Sequence, residues 1–378
     1  SAGSTVAEMN VGSHRFCTEC VIQGKDLDRS LIMKRLEQLD CSSLVVAGGH
    51  ERVRVHIHVN NPGEAYLACE QFGELHQQKA DDMERQHGLM NHTGKVAVVT
   101  DSGADIPYEE QERLAIHMVS ARLNFGAKEY IDHVSLMPAD LYRMLEESKE
   151  SPKTSQPPIG DFSRQYDLLT GHGYDVMSVG LSETLSGTTQ AARSAAERFD
   201  GRVRVFDTQS ASSGEGILAV IAAEGAQRGM SLDEIESLLT EFRPLTRAFA
   251  IPADLSYIVR GGRLPAWVKR LTDFLHVSPL LTEKNGRFRL AGITTGIGAK
   301  PSALGKAALR RMRKETTYRI LLAHGANPKG AHELRRYILE RHTRVHSCHI
   351  CEAGPALGVH LGPGGLVVGF SPQPDQLG

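Results

Sequence analysis

The chain has 378 residues, enough for two or three domains of ordinary size. Apolar residues make up 40% and charged residues 23%, a globular composition that excludes a disordered or fibrous chain. Lys and Arg number 43 against 45 Asp and Glu; the net charge of −2 argues against a duplex nucleic-acid binder, and no apolar run reaches the roughly 20 residues that span a bilayer.

Residues 1–15 lack an apolar signal core and read as a tag or linker. Six cysteines are too sparse for a disulfide framework, which places the chain in a reducing compartment and predicts a cytoplasmic protein. Strands are expected at 16–22 and within 42–59, with a helix near 26–39 between them. In Arg52–Val59 the alternation puts Val53, Val55, Ile57 and Val59 on one strand face and Arg54, His56 and His58 on the other. Asn60-Asn61-Pro62-Gly63 breaks that strand, and a helix follows to about Phe72. Gln77–Gly94 is polar with a helical pattern and holds the expected domain boundary.

From Lys95 the rhythm changes. Val96-Ala97-Val98-Val99-Thr100 is a short apolar run of the kind that forms a buried parallel strand. Similar runs recur at 174–181, 202–207, 245–251, 318–324 and 344–351. Helical segments fall near 138–149, 159–170, 187–199, 213–229, 231–242, 300–314 and 329–341. Ser231 and Glu234 have capping-box spacing. Asn285-Gly286 between two strand-like runs predicts a hairpin over 277–293. Strands alternating with helices give an α/β architecture, with a second lobe of mixed sheet.

Several places carry candidate chemistry. His56 and His58 share a strand face and are close enough to share a metal ion, with Cys17 or Cys20 as a third ligand; a regular strand lets only one of the two cysteines face the histidines. The alternative is a plain polar outer face. The turns Thr154-Ser155-Gln156-Pro157-Pro158 and Leu181–Thr188 are rich in hydroxyls, and the second opens a helix near Gly187 with Ser186 as its N-cap. Such a turn is an anion cradle or simply a cap. Gly354–Gly365 reads as a tight glycine-defined loop holding His360, equally a structural histidine. Gly261-Gly262-Arg263 is a similar turn whose arginine faces solvent in the plainer reading. The basic run of Lys306, Arg310, Arg311, Arg313 and Lys314 is a solvated helix face or a docking surface. Cys348 and Cys351 face opposite sides of a strand and read as packing residues.

These motifs carry a resemblance. Val99-Thr100-Asp101-Ser102, Thr154-Ser155-Gln156-Pro157, Leu185-Ser186-Gly187-Thr188, Gly261-Gly262-Arg263 and Gly358-x-His360-x-Gly362-Pro363-Gly364 occur in the order seen in the DegV family of bacterial fatty-acid-binding proteins. That family includes the carrier subunit of fatty acid kinase. The resemblance covers about 95–370. It implies a two-lobed α/β fold with a mainly parallel sheet in the first lobe (94–250) and a mixed sheet in the second (251–378). It also implies a buried long-chain fatty acid. By motif match Thr154 and Ser186 hold the carboxylate with His360 nearby, and Ser155, Gly187 and Arg263 complete the site. Thr189 departs from the pattern, which often has Tyr there.

Phe16-Cys17-Thr18-Glu19, Val55-His56-Ile57-His58, Asn61-Pro62-Gly63, Gly73-Glu74-Leu75 and Met83-x-x-Gln86-His87 resemble the middle domain of the catalytic component of fatty acid kinase, which is related to dihydroxyacetone kinases. This implies that 16–93 is a small α+β domain with zinc on Cys17, His56 and His58; Cys20 has no counterpart in the pattern. The kinase domain of that group carries a Gly-Asp-Gly-Asp motif, which this sequence lacks. The combined expectation is a homodimeric, non-enzymatic carrier. It presents a fatty acid's carboxylate to an ATP-dependent kinase domain, upstream in the same chain or separate, for acyl-phosphate formation. The rival expectation is a zinc-dependent hydrolase or phosphatase acting through the N-terminal domain; it lacks an obvious general base, although Glu19 is near Cys17 in sequence.

Overall fold

The computed structural model describes residues 14–84, 95–126, 128–147, 152–275, 277–295 and 300–377. Most of the expected tag or linker, and Gln86 and His87 of the Met83 motif, lie outside the described residues. The chain divides into two compact units, Ser1–His92 and Thr93–Gly378.

The first unit runs β1 (Phe16–Gln23), α1 (Arg29–Leu36), β2 (Cys41–Gly48), β3 (Arg52–Val59), α2 (Pro62–Glu70) and β4 (Glu74–Asp82). Its four strands form one antiparallel sheet in the order β2-β3-β1-β4. The period-two pattern of β3 has the expected result: Val53, Val55, Ile57 and Val59 are buried, and the intervening residues are not. Asp28 caps α1 by accepting from Ser30 N and Leu31 N, while Asn61 accepts from Gly63 N and Pro62 opens α2. The polar stretch from Gln77 was expected to be helical, but its first part belongs to β4. Pairing with β1 along Phe16–Gln23 outweighs the weak helical preference of these residues, and Tyr66 fixes the strand by donating to Lys79 O.

The second unit begins with β5 (Val96–Asp101), α3 (Tyr108–Arg113), β6 (His117–Val119), β7 (Arg122–Phe125), β8 (Lys128–Ile131), α4 (Pro138–Glu147) and β9 (Lys153–Ser155). It continues through α5 (Ile159–Gly171), β10 (Asp175–Gly180), α6 (Thr188–Ala196), β11 (Val203–Asp207), α7 (Ser213–Gln227), α8 (Leu232–Phe242) and β12 (Arg247–Ile251). The remainder is α9 (Ser256–Arg260), α10 (Ala266–Leu275), β13 (Val277–Lys284), β14 (Arg287–Thr295), α11 (Pro301–Leu309), β15 (Tyr318–His324), α12 (Pro328–Leu339), β16 (Val345–Glu352), α13 (Pro355–Leu361) and β17 (Leu366–Pro372).

Among the described residues the second unit forms three sheets. The first lobe holds a parallel four-stranded sheet, β11-β10-β5-β6, whose β5 is buried along its length, as its unbroken apolar run requires. The second holds a mixed six-stranded sheet, β14-β13-β12-β17-β15-β16, in which only β15 and β16 pair in parallel. A small antiparallel sheet, β8-β7-β9, carries Thr154. This is the α/β class the sequence predicts.

Helix α7 touches both large sheets, meeting β5 and β10 on one side and β15 and β17 on the other. Its sequence is accordingly apolar around its whole circumference, with Leu218, Ile221 and Ala222 fully buried. Helices α11 and α12 cover the far side of the six-stranded sheet, where Leu304, Leu334 and Ile338 pack with Phe249 and Phe370. Cys351 joins the α7 core and Cys348 the α11–α12 core, so the two cysteines do face opposite sides of β16. The capping box on α8 is formed by Ser231 and Glu234. The Asn285-Gly286 turn is also present: both residues have positive φ, 52° and 74°, the geometry a two-residue hairpin needs. Lys306, Arg310, Arg311, Arg313 and Lys314 are all exposed.

Gly354–Gly365 is more ordered than a glycine loop. It contains the two-turn helix α13, started by Pro355 at N1, where a missing N–H costs nothing. Gly358 in its middle serves packing, since a Cβ there would stand 2.6 Å from Leu141 and 2.8 Å from the Tyr142 hydroxyl.

Candidate functional site

The second unit folds its five motifs onto one place. Thr154, on the edge strand β9, lies with Oγ1 3.1 Å from Nε2 of His360 on α13. Nδ1 of His360 is shut off from solvent and has no hydrogen-bond partner among the described residues. Burial, with Arg263 nearby, pulls the imidazole down to about 4, so it is neutral at pH 7. The ring is held tightly against the Gly261-Gly262 turn: a Cβ at 261 would be 2.3 Å from Nδ1. Arg263 is half-buried rather than solvent-facing, donating to Gly261 O and to Leu185 O at 3.4 Å.

The Leu185–Thr188 turn follows β10. Gly187, not Ser186, is the N-cap of α6, although Ser186 still accepts from Thr188 N at 3.3 Å and meets Thr188 Oγ1 at 2.9 Å. The two hydroxyl turns are adjacent, because a Cβ on Gly187 would overlap Gln156 Oε1 at 1.9 Å. Ser155 is exposed, and among the described residues it takes no part in these hydrogen bonds. Thr189 is fully buried and donates to Leu181 O. The hairpin turn of the second lobe closes over this loop, with Ser182 and Thr184 both donating to Gly286 O. Hydroxyls from two turns, the start of α6 and a neutral imidazole make a donor set suited to a carboxylate.

In the first unit, Cys17 on β1 stands opposite His58 on β3. Ligand atoms of Cys17, His56 and His58 all lie within 4.8 Å of one another. Cys17 Sγ is 3.8 Å from His56 Nδ1, which also meets Glu19 Oε1 at 3.3 Å. Burial, with Asp81 and Glu19, pushes the Cys17 thiol up; burial and the neighbouring histidines pull His58 down. One thiolate and two imidazoles at this spacing fit a zinc ion with a fourth position open, and a bound cation would reverse the direction of the thiol's shift. Cys20 points to the other face of the sheet, where it is buried beside Cys69.

Residues 95–373 match the sequence profile of a family described as "Uncharacterised protein, DegV family". The chain belongs to the DegV family. Residues 13–90 match a second profile, that of the FakA-like middle domain of fatty acid kinase. A DegV domain-containing protein of Listeria innocua is 31% identical over 285 residues, 73% of this chain and 98% of that one. Two solved DegV structures are similar: one from Thermus thermophilus, described for its fatty acid binding, and one from Bacillus subtilis, described as a fatty acid binding protein. Each is 29% identical and covers 74% of this chain and 100% of its own, with TM-scores of 0.68 and 0.65. Among the described residues no helix is long and apolar enough to cross a membrane.

Behind the DegV motifs lie buried carboxylates that reading by motif passes over. Asp101 accepts from Gly103 N at 2.9 Å and from Leu181 N at 3.1 Å, fixing where the loop toward Ser186 leaves β10. Glu215 on α7 is fully buried beside it, and burial and Asp101 push its carboxyl well up. Asp105 and Asp132 are buried near the start of α13. Only Asp101 belongs to one of the five motifs. The available signal for the others was an acidic residue at the edge of an apolar stretch, which sequence alone does not separate from a surface acid.

Proposed function

We propose that the DegV unit is a fatty-acid carrier, holding a long-chain fatty acid with its carboxylate on Thr154 and Ser186 beside His360. Gly187 and Arg263 shape the turn, and Ser155 stands at its rim. The observation that supports the reading is that the Thr154–His360 contact lies beside the Ser186 turn, with Gln156 against Gly187 and the His360 ring against the Gly261 turn whose Arg263 donates to Leu185 O. A carboxylate leaving water needs several donors, and hydroxyls with a helix start supply them. The fatty-acid binding of the Thermus and Bacillus relatives supports the same reading. The match of 13–90 to a fatty acid kinase middle domain supports the partner: an ATP-dependent kinase that receives the presented carboxylate and forms an acyl phosphate.

The carrier is proposed to act as a cytoplasmic homodimer that binds and presents its ligand without turning it over. Zinc on Cys17, His56 and His58 is proposed to brace the first unit. The hydrolase alternative would need Glu19 as its base, and Glu19 is engaged with His56.

Native mass spectrometry of the purified protein is the test. A mass increment equal to one long-chain fatty acid, lost when Ser186→Ala is combined with Thr154→Val, is the expected result. Each single substitution should weaken binding about ten-fold or more, the worth of one hydrogen bond to a charged group. A spectrum that stays free of lipid after incubation with fatty acids overturns the carrier reading, and unchanged affinity in both single variants overturns the head-group assignment.

A further inference from the structure

Helix α13 carries His360, yet nothing local fixes where that helix sits. It is only seven residues long, and its N-cap is Gly354, which has no side chain to accept from the first turn. A helix this short does not form on its own propensity, because nucleation is unfavourable. The first-turn donors are taken up by two carboxylates from elsewhere in the unit. Gly354 N donates to Asp105 Oδ1 at 2.8 Å, and Ala356 N donates to Asp132 Oδ2 at 3.2 Å. Pro355, between them, has no N–H to satisfy.

Both carboxylates are themselves anchored. Asp105 follows the turn after β5, and its second oxygen accepts from Ser212 Oγ at 2.7 Å, at the start of α7. Its own carbonyl accepts from Cys351 Sγ at the end of β16. Asp132 follows β8 and is fully buried, with Oδ1 lacking a hydrogen-bond partner among the described residues. His133 closes the same corner so tightly that a Cβ on Gly354 would stand 2.3 Å from its Nε2. Elements of both lobes thus meet at the first turn of α13, and His360 lies one turn beyond Ala356.

We propose that Asp105 and Asp132 are positioning residues for the bound carboxylate: by holding the first turn of α13 they set where His360 Nε2 meets Thr154 and the ligand. The proposal rests on the reading of Thr154, Ser186 and His360 as the head-group site. Neither aspartate touches the ligand; both act through the histidine.

The test is a double-mutant cycle on displacement of a fluorescent long-chain fatty acid, supported by the ring-nitrogen resonances of His360. Asp105→Ala leaves Gly354 N without an acceptor and should weaken binding about ten-fold or more. Asp105→Asn keeps Oδ1 for Gly354 and turns its amide toward Ser212 Oγ, so it should bind within about two-fold of the parent and guards against a folding defect in the alanine variant. Asp132→Ala should behave like Asp105→Ala. In a His360→Ala background both alanine substitutions should cause no further loss.

Unchanged affinity in a folded Asp105→Ala, or losses that add to that of His360→Ala, overturns the proposal. If the parent binds no fatty acid, or His360→Ala binds as tightly as the parent, the head-group reading itself has failed. The clamp is then judged on the resonances alone. A His360 signal displaced in Asp105→Ala and restored in Asp105→Asn supports it, and a signal unmoved in both overturns it.

Discussion

At pH 7 Asp105 is close to the midpoint of its own titration. Burial pushes its carboxyl up to about 7, against the pull of Ser212 and the Gly354 N–H in the other direction. Burial likewise takes Asp101 up to about 6, although Leu181 N and Gly103 N both donate to it. In the unfolded chain both groups return to about 3.8. Between that value and neutrality the folded protein holds protons that the unfolded chain has released, so their contribution to stability is complete below about pH 4 and is lost as the pH rises through about 7. The denaturant midpoint should therefore be lower at pH 8 than at pH 6. The difference in unfolding free energy is on the order of 2 kcal/mol, and Asp105→Asn should remove most of it. A midpoint that rises over this interval would contradict the assignment. At this scale the sequence revealed the proposed head-group site unevenly. Thr154, Ser186 and His360 were picked out by their match to the DegV motifs, whereas the residue pattern alone left them open as caps or a structural histidine. Asp105 and Asp132 were not picked out, since their roles arise from burial and from neighbours more than 200 residues away in the chain.

Periodicity was the most reliable guide to the elements. The alternation of β3, the apolar runs of β5, β10 and β15 and the Asn285-Gly286 turn all describe the structure well, because each pattern reports burial of the element's own residues. It failed where a neighbour decides the outcome. Strand β4 is polar and forms because β1 offers it a ladder; α13 lies in a stretch flanked by glycines, and Asp105 and Asp132 accept from its first turn. The strand pair β1 and β3 also carries the proposed zinc ligands, and there the element is the unit to test. Elemental analysis should find about one zinc per chain in the parent and little in His58→Ala, as expected for a site reduced to two protein ligands. Chelation should lower the melting temperature of the first unit and leave the DegV unit's transition in place. Equal zinc content in the parent and in His58→Ala would remove the site.

The DegV unit has two sheets of different construction, and the sequence pattern divides it at about residue 250 into two lobes. Helix α7 argues against treating those lobes as separable, since it supplies Ile217, Leu218 and Ile221 to a core that also includes Met177 and Val179 of the parallel sheet and Leu321 of the mixed one. Disordering either lobe therefore uncovers the same apolar helix. In calorimetric terms the DegV unit should melt in a single step, with the van't Hoff enthalpy equal to the measured heat. Ile221→Ala should destabilise that one transition by about 2–5 kcal/mol without splitting it. A protease acting on rare openings would then release no stable half-molecule, because the lobes share the helix that each would need in order to survive alone.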